Sequence, residues 1–331
     1  VGSYGLEEEY NDVLSRDAKN FYVNFFAEIF ANMQSSVFKN TATTGDIVTT
    51  IEPTVQVQLE QTVSDIQQRW GSESVGGIIM DPYTGSIVAM AAAPTFDLNK
   101  YGAVKDPNLY TNPFVQHRYE MGSIVKPLVM AGALDVGAIT PTTTYTDKGF
   151  VTIDGKTLNN FDKKGRGANV SMQEVLNQSL NTGMIFVEQK MGKTVFKDYL
   201  VTRYKLGDKT GIDLPGEVNG SVGSLKDAND INYAAASFGQ GIATSPINIV
   251  RAFATLANGG TMVTPHVASK IIEASGTSTD IAFPLGDRVL KPETVSAITN
   301  MLVQVVDDGY DRGLRHYSVA AKTGTAQIAR T

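Results

Sequence analysis

The stretch Tyr119-Glu-Met-Gly-Ser-Ile-Val-Lys-Pro127 is the most informative part of the 331-residue sequence, because it contains the tetrad Ser-x-x-Lys. Residues three apart on a helix share a face, so a helix beginning near Ser123 would place the Lys126 amine beside the serine hydroxyl. Pro127 fits the first turn of such a helix, where an N–H has no intrahelical acceptor to lose. The same start leaves the Ser123 N–H as a donor for an oxygen that gains negative charge.

A lysine can activate a serine only while its amine is neutral. Free lysine has a pKa near ~10.4, so the pKa of Lys126 must fall by roughly 3 units, worth about 4 kcal/mol, through burial and a second cation. Ser-x-x-Lys also occurs as Ser36-Val-Phe-Lys39, in a polar section without companion motifs. A helix-capping serine beside a solvated lysine explains most such tetrads, so the motif needs further support.

Ser179-Leu-Asn181 is the Ser-x-Asn motif of the sequence, and it lies in a predicted loop between two helical stretches. The Ser179 hydroxyl could relay a proton to or from an amine, while the Asn181 amide holds a substrate backbone. A helix cap would account for the same residues equally well.

Lys-Thr-Gly occurs twice, in a predicted loop at Lys209-Thr-Gly211 and in an extended run at Lys322-Thr-Gly324. At a strand edge, Gly324 would let a peptide approach the backbone closely, and the N–H of Thr325 would be a second oxyanion donor. Lys322 would be the second cation that lowers the Lys126 pKa, and it would attract a substrate carboxylate.

Composition and missing motifs exclude several classes of protein. With 42% apolar and 19% charged residues, the sequence is typical of a folded α/β or α+β enzyme. A net charge of −6 with scattered basic residues argues against nucleic acid as a partner. The sequence has no cysteine and no metal- or phosphate-binding motif, so we expect no metal and no cofactor. It also lacks the Gly-x-Ser-x-Gly elbow of Ser-His-Asp hydrolases, so we expect its three histidines to be surface or hydrogen-bonded residues.

The apolar pattern predicts strands near both ends of the chain and a helical middle. We place a boundary after Asp46, with a pedestal or linker segment at 1–46 and one domain at 47–331. The domain is predicted to be an antiparallel sheet with helices packed on it. The predicted elements begin with a strand at 47–52 and a helix from Pro53, which faces a core through Val55, Leu59, Val63, Ile66 and Trp70. A hairpin of 77–80 and 86–90 follows, and residues 120–258 are predicted to be mainly helical. The last elements are a strand at 263–272, a helix after Pro292 and a strand at 318–328. No stretch reaches the ~18 apolar residues of a membrane span. The most apolar one, 21–38, predicts an amphipathic helix or hairpin, with a membrane-surface segment as the alternative.

Ser-x-x-Lys, Ser-x-Asn and Lys-Thr-Gly follow one another in this order in penicillin-binding proteins and class A β-lactamases. Longer motifs add specificity, namely Gly5-Leu-Glu-Glu-Glu-Tyr10, Asp81-Pro-Tyr-Thr-Gly-Ser-Ile-Val-Ala-Met90, Gly211-Ile-Asp-Leu-Pro-Gly-Glu217, Phe238-Gly-Gln-Gly-Ile242 and Lys322-Thr-Gly-Thr-Ala-Gln327. Together with 119–127 they resemble class B penicillin-binding proteins over nearly the whole chain. β-Lactamases lack most of them.

This resemblance implies a mixed α+β fold with a five-stranded-type antiparallel sheet flanked by helices and an all-helical subdomain. It also implies a peptidoglycan D,D-transpeptidase of cell division or elongation. Ser123 would attack the penultimate D-Ala carbonyl of a stem peptide, with Lys126 as base, and the terminal D-Ala would leave. An amine of a neighbouring stem peptide would resolve the acyl-enzyme, and β-lactam antibiotics would acylate the same serine.

The other site residues take their roles from the same resemblance. Ser179 and Lys322 would assist proton transfer, and Asn181 would hold the substrate. The residues implied to bind the substrate, with the two threonines on its carboxylate, are Thr323, Gly324 and Thr325.

The resemblance extends to the setting of the protein. It places the domain at the extracytoplasmic face of the bacterial cytoplasmic membrane, anchored by an N-terminal helix outside this sequence, with a SEDS-type glycosyltransferase as partner of the full-length protein. Family members continue past Lys-Thr-Gly with further strands and a final helix. We therefore expect C-terminal strands to be missing from a sequence that stops at Thr331, or the sheet to be completed in another way.

Two other functional classes stay open. A D,D-carboxypeptidase or β-lactamase-type hydrolase would use the same serine, and a non-catalytic β-lactam sensor or scaffold would keep the fold alone. Class A β-lactamases deacylate through a glutamate in a Glu-x-x-Leu-Asn loop, but the similar Glu174-Val-Leu-Asn177 precedes Ser179 instead of following it. We interpret Ser171-Met-Gln-Glu174 as a helix capping box and expect slow deacylation.

Overall fold

The computed structural model of the protein describes residues 2–15, 44–227, 229–309 and 316–326. The fold is mixed α+β, with antiparallel sheets and packed helices, as the sequence predicted. The strands are β1 Gly45–Thr49, β2 Val75–Met80, β3 Ile87–Ala93, β4 Thr144–Asp147, β5 Phe150–Ile153, β6 Lys156–Asn159, β7 Gly167–Ser171, β8 Ala268–Glu273 and β9 Ser278–Asp280. The α-helices are α1 Gly5–Glu9, α2 Asn11–Leu14, α3 Pro53–Trp70, α4 Pro113–Gln116, α5 Lys126–Asp135, α6 Met172–Asn177, α7 Asn181–Met191, α8 Lys193–Lys197, α9 Asp230–Ala236, α10 Pro246–Ala257 and α11 Pro292–Gly309. Short 3-10 turns lie at Leu98–Ala103, Pro107–Tyr110, Gly122–Val125 and Gly223–Leu225, and a π-helical turn at Asp198–Arg203.

Five of the strands form a three-stranded sheet and a hairpin that contact each other. β8 lies between β1 and β9, and β2 pairs with β3 through a turn in which Gly85 N donates to Asp81 O at 2.9 Å. A parallel bridge between Ser86 and His266 joins the two units, and Ile87 N donates to His266 O at 2.8 Å. The predicted hairpin is therefore confirmed, and the first strand, predicted at 47–52, is observed at Gly45–Thr49.

Helix α3 covers the hairpin, but the predicted core face holds for only part of its length. Val63 is buried against β3, whereas Ile66 (40% exposed) and Trp70 (72% exposed) face solvent. Leu59 packs in the same cluster, so the helix contacts the hairpin through its middle part. The helix ends at Gly71, which has a φ of 59°.

The largest hydrophobic cluster surrounds α5, which packs against α7, α10 and α11. Leu128 and Met130 of α5 are fully buried, as is Met184 of α7. Tyr204 OH donates to Leu128 O at 3.1 Å and ties the helix to the next segment of the core. The core thus fixes the N-terminal end of α5, where Lys126 lies.

The middle of the chain also contains four short strands that the sequence analysis missed. β4 pairs with β7, and β5 pairs with β6. Each has four or five residues, and β6 reads Lys-Thr-Leu-Asn with two exposed positions. So few apolar positions give no recognisable period of two. The prediction of a mainly helical middle is therefore wrong for residues 144–171.

The C-terminal predictions have mixed outcomes. Helix α11 begins at Pro292 and buries Val295, Ile298, Leu302 and Val305, as predicted. The strand predicted at 263–272 is observed only from Ala268, as β8. Residues 318–326 have no regular secondary structure, so the strand predicted at 318–328 is wrong over that range. A strand forms only where a neighbour completes its ladder, and no described strand pairs with this segment.

Some predictions fall on parts of the chain that the structure does not describe. The second tetrad at 36–39 and the amphipathic stretch at 21–38 lie outside the described residues. The domain boundary after Asp46 stays a prediction. Among the helices that are described, none is both long enough and apolar enough to cross a membrane.

Candidate active site

Lys126 is the first residue of α5 and is completely buried. Its Nζ donates to the Ser179 carbonyl oxygen at 2.6 Å, to Ser179 Oγ at 3.1 Å and to Asn181 Oδ1 at 2.8 Å. Ser179 has a φ of 54°, which turns the short segment between α6 and α7 back towards the lysine. The loop predicted for Ser-x-Asn is confirmed for Ser179 and Leu180, whereas Asn181 is already the first residue of α7. The motif lies against Lys126.

Lys322 reaches the same serine from the C-terminal segment. Its Nζ donates to Ser179 Oγ at 3.0 Å and to the Thr323 carbonyl oxygen at 3.0 Å. The Ser179 hydroxyl therefore lies between the amines of Lys126 and Lys322. The structure brings together four of the predicted residues, which are separated by up to 196 positions in sequence: Lys126, Ser179, Asn181 and Lys322.

The electrostatics of the two lysines follow from their surroundings. Burial, and then repulsion from the Lys322 ammonium, lower the pKa of Lys126 well below its usual range. Burial also lowers the pKa of Lys322 to about 8. The two causes that the sequence analysis required for a neutral Lys126, burial and a second cation, are both present.

Ser123 lies in the 3-10 turn Gly122–Val125, which leads directly into α5, and Lys126 N donates to Ser123 O. The predicted helix start is thus correct, although its first turn is 3-10 rather than α. The Ser123 side chain is partly exposed and makes no hydrogen bond to any described residue. Its N–H belongs to the first turn, where backbone amides lack an intrahelical acceptor.

Three backbone segments meet behind this turn without room for a side chain. Gly122 has a φ of 55°, and a Cβ on it would lie 2.2 Å from the Thr325 carbonyl oxygen. A Cβ on Gly239, from the Phe-Gly-Gln-Gly motif, would lie 2.1 Å from the Gly122 carbonyl oxygen. Gly122 N donates to Gly239 O at 3.2 Å. Glycine at both positions is therefore what allows the Lys-Thr-Gly segment to rest on the Ser123 turn.

The three residues that follow Lys322 face solvent. Thr323, Gly324 and Thr325 are exposed. A Cβ on Gly324 would lie 2.7 Å from Ile124 Cγ2, so the backbone there lies flat against the turn. Seven of the eight residues that the sequence analysis selected are thus at least partly exposed, and the eighth, Lys126, is buried against Ser179.

A model of the penicillin-binding protein transpeptidase domain family matches residues 75–331. The chain belongs to this family. Stage V sporulation protein D of Bacillus subtilis is 32% identical over 288 residues, which cover 85% of the chain and 44% of that protein. A peptidoglycan D,D-transpeptidase FtsI homologue of Mesostigma viride is 29% identical over 276 residues, which cover 76% of the chain and 46% of that protein. The chain therefore spans less than half the length of these two relatives.

Solved structures agree with the penicillin-binding fold. Penicillin-binding protein 2X of Streptococcus thermophilus superimposes with a TM-score of 0.77 and 26% identity, covering 86% of the chain and 43% of that protein. The class B resemblance and the mixed α+β fold expected from it are thus confirmed. The described strands form one three-stranded and three two-stranded sheets rather than a single five-stranded sheet, and the helical subdomain is not all-helical, because β4 to β7 lie within it.

The first Lys-Thr-Gly motif and His266 have structural contacts outside the candidate site. In the first Lys-Thr-Gly, Thr210 N and Oγ1 both donate to Glu217 Oε1 at 2.6 Å, and Gly211 N donates to Glu217 Oε2 at 3.0 Å. This motif closes a loop. His266 Nε2 lies 3.0 Å from Ser86 Oγ and Nδ1 lies 2.9 Å from Thr264 O, so it is a hydrogen-bonded histidine at the sheet junction, as expected.

The predicted capping box is only half formed. Ser171 Oγ accepts from Glu174 N at 3.2 Å and caps α6. The Glu174 carboxylate, however, accepts from Asn177 Nδ2 and from Gln178 Nε2 rather than from the Ser171 N–H. Glu174 therefore braces the turn that leads to Ser179.

Sequence reasoning missed a set of buried polar residues beside the site. Asp147, Asn160 and Thr182 are each 2% exposed or less, and they hydrogen-bond to one another around the start of α7. Their only sequence signal is position: Asn160 follows Asn159, and Thr182 follows Asn181.

Proposed function

We propose that this domain is a serine-type peptidoglycan D,D-transpeptidase whose nucleophile is Ser123. The observation that carries the proposal is the buried Lys126 amine, hydrogen-bonded to Ser179 and Asn181, with Lys322 on the same Ser179 hydroxyl. A lysine in this setting loses its proton far more easily than a solvated one. The relatives named peptidoglycan D,D-transpeptidase and penicillin-binding protein support the substrate class.

In the proposed reaction, neutral Lys126 takes the Ser123 proton while Oγ bonds to the carbonyl carbon between the last two D-Ala residues. The N–H groups of Ser123 and Thr325 bind the oxyanion that forms. Lys126 then returns the proton, through the Ser179 hydroxyl, to the nitrogen of the terminal D-Ala, which leaves as a neutral amine. An acceptor amine later attacks the ester and releases Ser123 with its proton restored.

Binding of the donor peptide uses the rest of the surface. The Lys322 ammonium attracts the terminal carboxylate, and the Thr323 and Thr325 hydroxyls donate to it. Gly324 lets the peptide backbone approach, while the Asn181 amide holds the penultimate residue. A β-lactam carries a carboxylate and a strained amide in a similar arrangement, so it acylates the same serine.

The reaction class implies a location. Peptidoglycan is cross-linked outside the cytoplasm, so we place the domain at the extracytoplasmic face of the bacterial cytoplasmic membrane, within a longer, anchored protein. A SEDS-type glycosyltransferase that makes the glycan strand is the expected partner. We also propose that residues 1–46 are the end of a separate pedestal segment.

The test is covalent labelling with a fluorescent penicillin, followed by intact-protein mass spectrometry. We expect one slowly hydrolysed adduct, which Ser123→Ala removes while the fold is retained. Ser36→Ala, in the other Ser-x-x-Lys tetrad, is the matched control and should be labelled like the unchanged chain.

The same experiment separates the competing functions. Rapid turnover of the adduct would identify a hydrolase, and release of D-Ala from a donor peptide without transfer to an acceptor amine would identify a carboxypeptidase. If no adduct forms at all, the domain is a non-catalytic sensor or scaffold. Labelling that survives in Ser123→Ala but not in Ser36→Ala would move the nucleophile to the second tetrad.

A further inference from the structure

Helix α7 starts at Asn181 without a capping side chain of its own, because Leu180 occupies the N-cap position. The Thr182 N–H is instead capped from a distance, by Asn160 Oδ1 at 3.1 Å. First-turn amides need such an acceptor, which usually comes from the residue just before the helix. Here it comes from a residue 22 positions earlier in the chain.

The capping residue belongs to a buried cluster, the Asp147 cluster, made up of Asp147, Asn160 and Thr182. Asn160 Nδ2 donates to Asp147 Oδ1 and Oδ2 at 3.1 and 3.0 Å, and Thr182 Oγ1 lies 2.8 Å from Asp147 Oδ1 and 3.1 Å from Asn160 Oδ1. Gly149 N and Arg166 N complete the shell of the carboxylate at 2.8 and 3.1 Å. In a buried network of this kind each lost bond leaves an unsatisfied group, so the geometry is stiff.

The Asp147 cluster is connected to the candidate site on both sides of Asn181. Thr182 follows Asn181 in the helix, and Asn159, which precedes Asn160, accepts from Asn181 Nδ2 through its carbonyl oxygen at 2.8 Å. Because the amide nitrogen is engaged there, the carbonyl oxygen of Asn181 must point the other way, to Lys126 Nζ at 2.8 Å. A rotated Asn181 amide would turn its NH₂ group towards the lysine.

We propose that Asp147, Asn160 and Thr182 are positioning residues for acylation, which hold the Asn181 carbonyl oxygen on the Lys126 amine. They contact neither Ser123 nor an incoming peptide and act through Asn181. The inference rests on the proposed function, since it assigns these residues to the same reaction.

The discriminating variants are at Thr182. Thr182→Val keeps the shape and removes the hydroxyl, whereas Thr182→Ser keeps the hydroxyl and removes a methyl group. A residue needed only for packing would tolerate valine better than serine. A positioning residue that works through hydrogen bonds would tolerate serine better than valine.

We expect Thr182→Val to slow acylation by a fluorescent penicillin about tenfold or more, with the dissociation constant of the reversible complex nearly unchanged. Thr182→Ser should acylate within about twofold of the unchanged chain. In an Asn181→Ala background, Thr182→Val should cause no further loss, because the group it positions is already absent. Circular dichroism and the melting temperature monitor the fold of each variant.

Several results would overturn the inference. The first is an acylation rate of Thr182→Val that equals that of the unchanged chain. The second is a loss of acylation in Thr182→Ser as large as in Thr182→Val. The third is a Thr182→Val substitution that slows acylation as much in the Asn181→Ala background as in the unchanged chain. The Asn181 side-chain amide resonance, followed by NMR, gives a readout that needs no labelling, and it should shift in Thr182→Val but not in Thr182→Ser. If the unchanged chain is not labelled, the proposed function fails. An Asn181 side-chain resonance that does not shift in Thr182→Val would separately reject the positioning role.

Discussion

At the scale of single residues, the hydrogen-bond contacts of Lys126 indicate how many protons its amine needs. The two shorter contacts, to Ser179 O at 2.6 Å and Asn181 Oδ1 at 2.8 Å, use two N–H groups. The third contact, to Ser179 Oγ at 3.1 Å, is to a hydroxyl that can itself donate. A neutral amine therefore keeps both strong bonds and gives up only the longer contact to Ser179 Oγ, so its lone pair is free to take a proton, as the proposed reaction requires.

Opposite protonation requirements for Lys126 and Lys322 predict a bell-shaped pH dependence. The acylation rate should rise with pH as Lys126 loses its proton, at a pKa lowered by burial and by Lys322. It should fall again above about 8, where Lys322 loses the charge that attracts the substrate carboxylate. Rates of penicillin acylation, measured as a function of pH, locate both limbs.

Lys322→Arg assigns the alkaline limb. Arginine keeps its charge throughout this range, so the fall near pH 8 should disappear, even if the maximum rate is lower. An alkaline limb that stays near 8 in Lys322→Arg would show that another group titrates there.

The residue scale also shows what the sequence could and could not predict. Ser123 and Lys126 are three apart in sequence, so local geometry places both at the start of α5. The order of the three motifs then predicted the contacts of Ser179 and Lys322 correctly. Asn160 and Thr182 carry no such pattern, because they are 22 positions apart in sequence and their contact depends on how the β5–β6 hairpin packs on α7.

At the scale of elements, the site depends on how closely the Lys-Thr-Gly segment packs on the Ser123 turn. A Cβ at Gly122 would lie 2.2 Å from the Thr325 carbonyl oxygen, a distance that requires one backbone to move. Gly137 has a similar positive φ of 70°, but nothing lies within 4 Å of the position of its Cβ. The two glycines differ in contact and share the same conformational preference.

This pair gives a matched test. Each Gly→Ala change should lower the free energy of unfolding by about 1 kcal/mol or more, because alanine resists a positive φ. Gly122→Ala should in addition slow acylation about tenfold or more by displacing Thr325 from Ser123, whereas Gly137→Ala should acylate normally. Labelling rates and urea titrations separate the two effects, and normal acylation of Gly122→Ala would mean that the contact does not matter for the site.

Elements were predictable where their apolar pattern was long. Helix α11 buries five apolar residues, four of which were predicted from their helical spacing, and it begins at Pro292 as expected. The run at 318–326 has strand-like residues, yet it has no strand partner among the described residues and forms no strand. Composition alone does not reveal whether a partner exists.

At the scale of the whole molecule, three buried tyrosines tie distant segments together. Tyr10 OH donates to Asp213 Oδ2 at 2.7 Å, and Tyr199 OH donates to Asp135 Oδ2 at 2.6 Å. Tyr204 OH donates to Leu128 O at 3.1 Å within the core. The first bond spans 203 positions and links the N-terminal segment to the loop that also receives β8, through Val267 N and Ala268 N on Asp213.

Loss of a phenol proton would break each of these ties, so alkaline pH should unfold the protein steeply. Burial is the main cause that raises the pKa of Tyr10, Tyr199 and Tyr204, and the neighbouring Asp213 and Asp135 carboxylates add to it for the first two. The unfolded chain ionises these phenols near ~10, so above that pH the folded state holds protons that the unfolded state has lost, and stability falls as pH rises.

Each such group contributes about 1.4 kcal/mol of unfolding free energy per pH unit above ~10, measured by urea titrations at a series of pH values. Burial raises the pKa of Tyr145 to about 12 and adds to this slope, whereas burial lowers the pKa of Arg251 to about 10 and subtracts from it. The lowered pKa values of Lys126 and Lys322 act in the opposite sense only below ~10.4, where the unfolded chain still binds their protons. Tyr10→Phe should reduce the slope by about 1.4 kcal/mol per pH unit, since one buried phenol is gone. Tyr83→Phe, at a position 66% exposed, removes a phenol from the surface and should leave the slope unchanged. A slope unaffected by Tyr10→Phe would show that the proton on this long-range tie is not held by the fold.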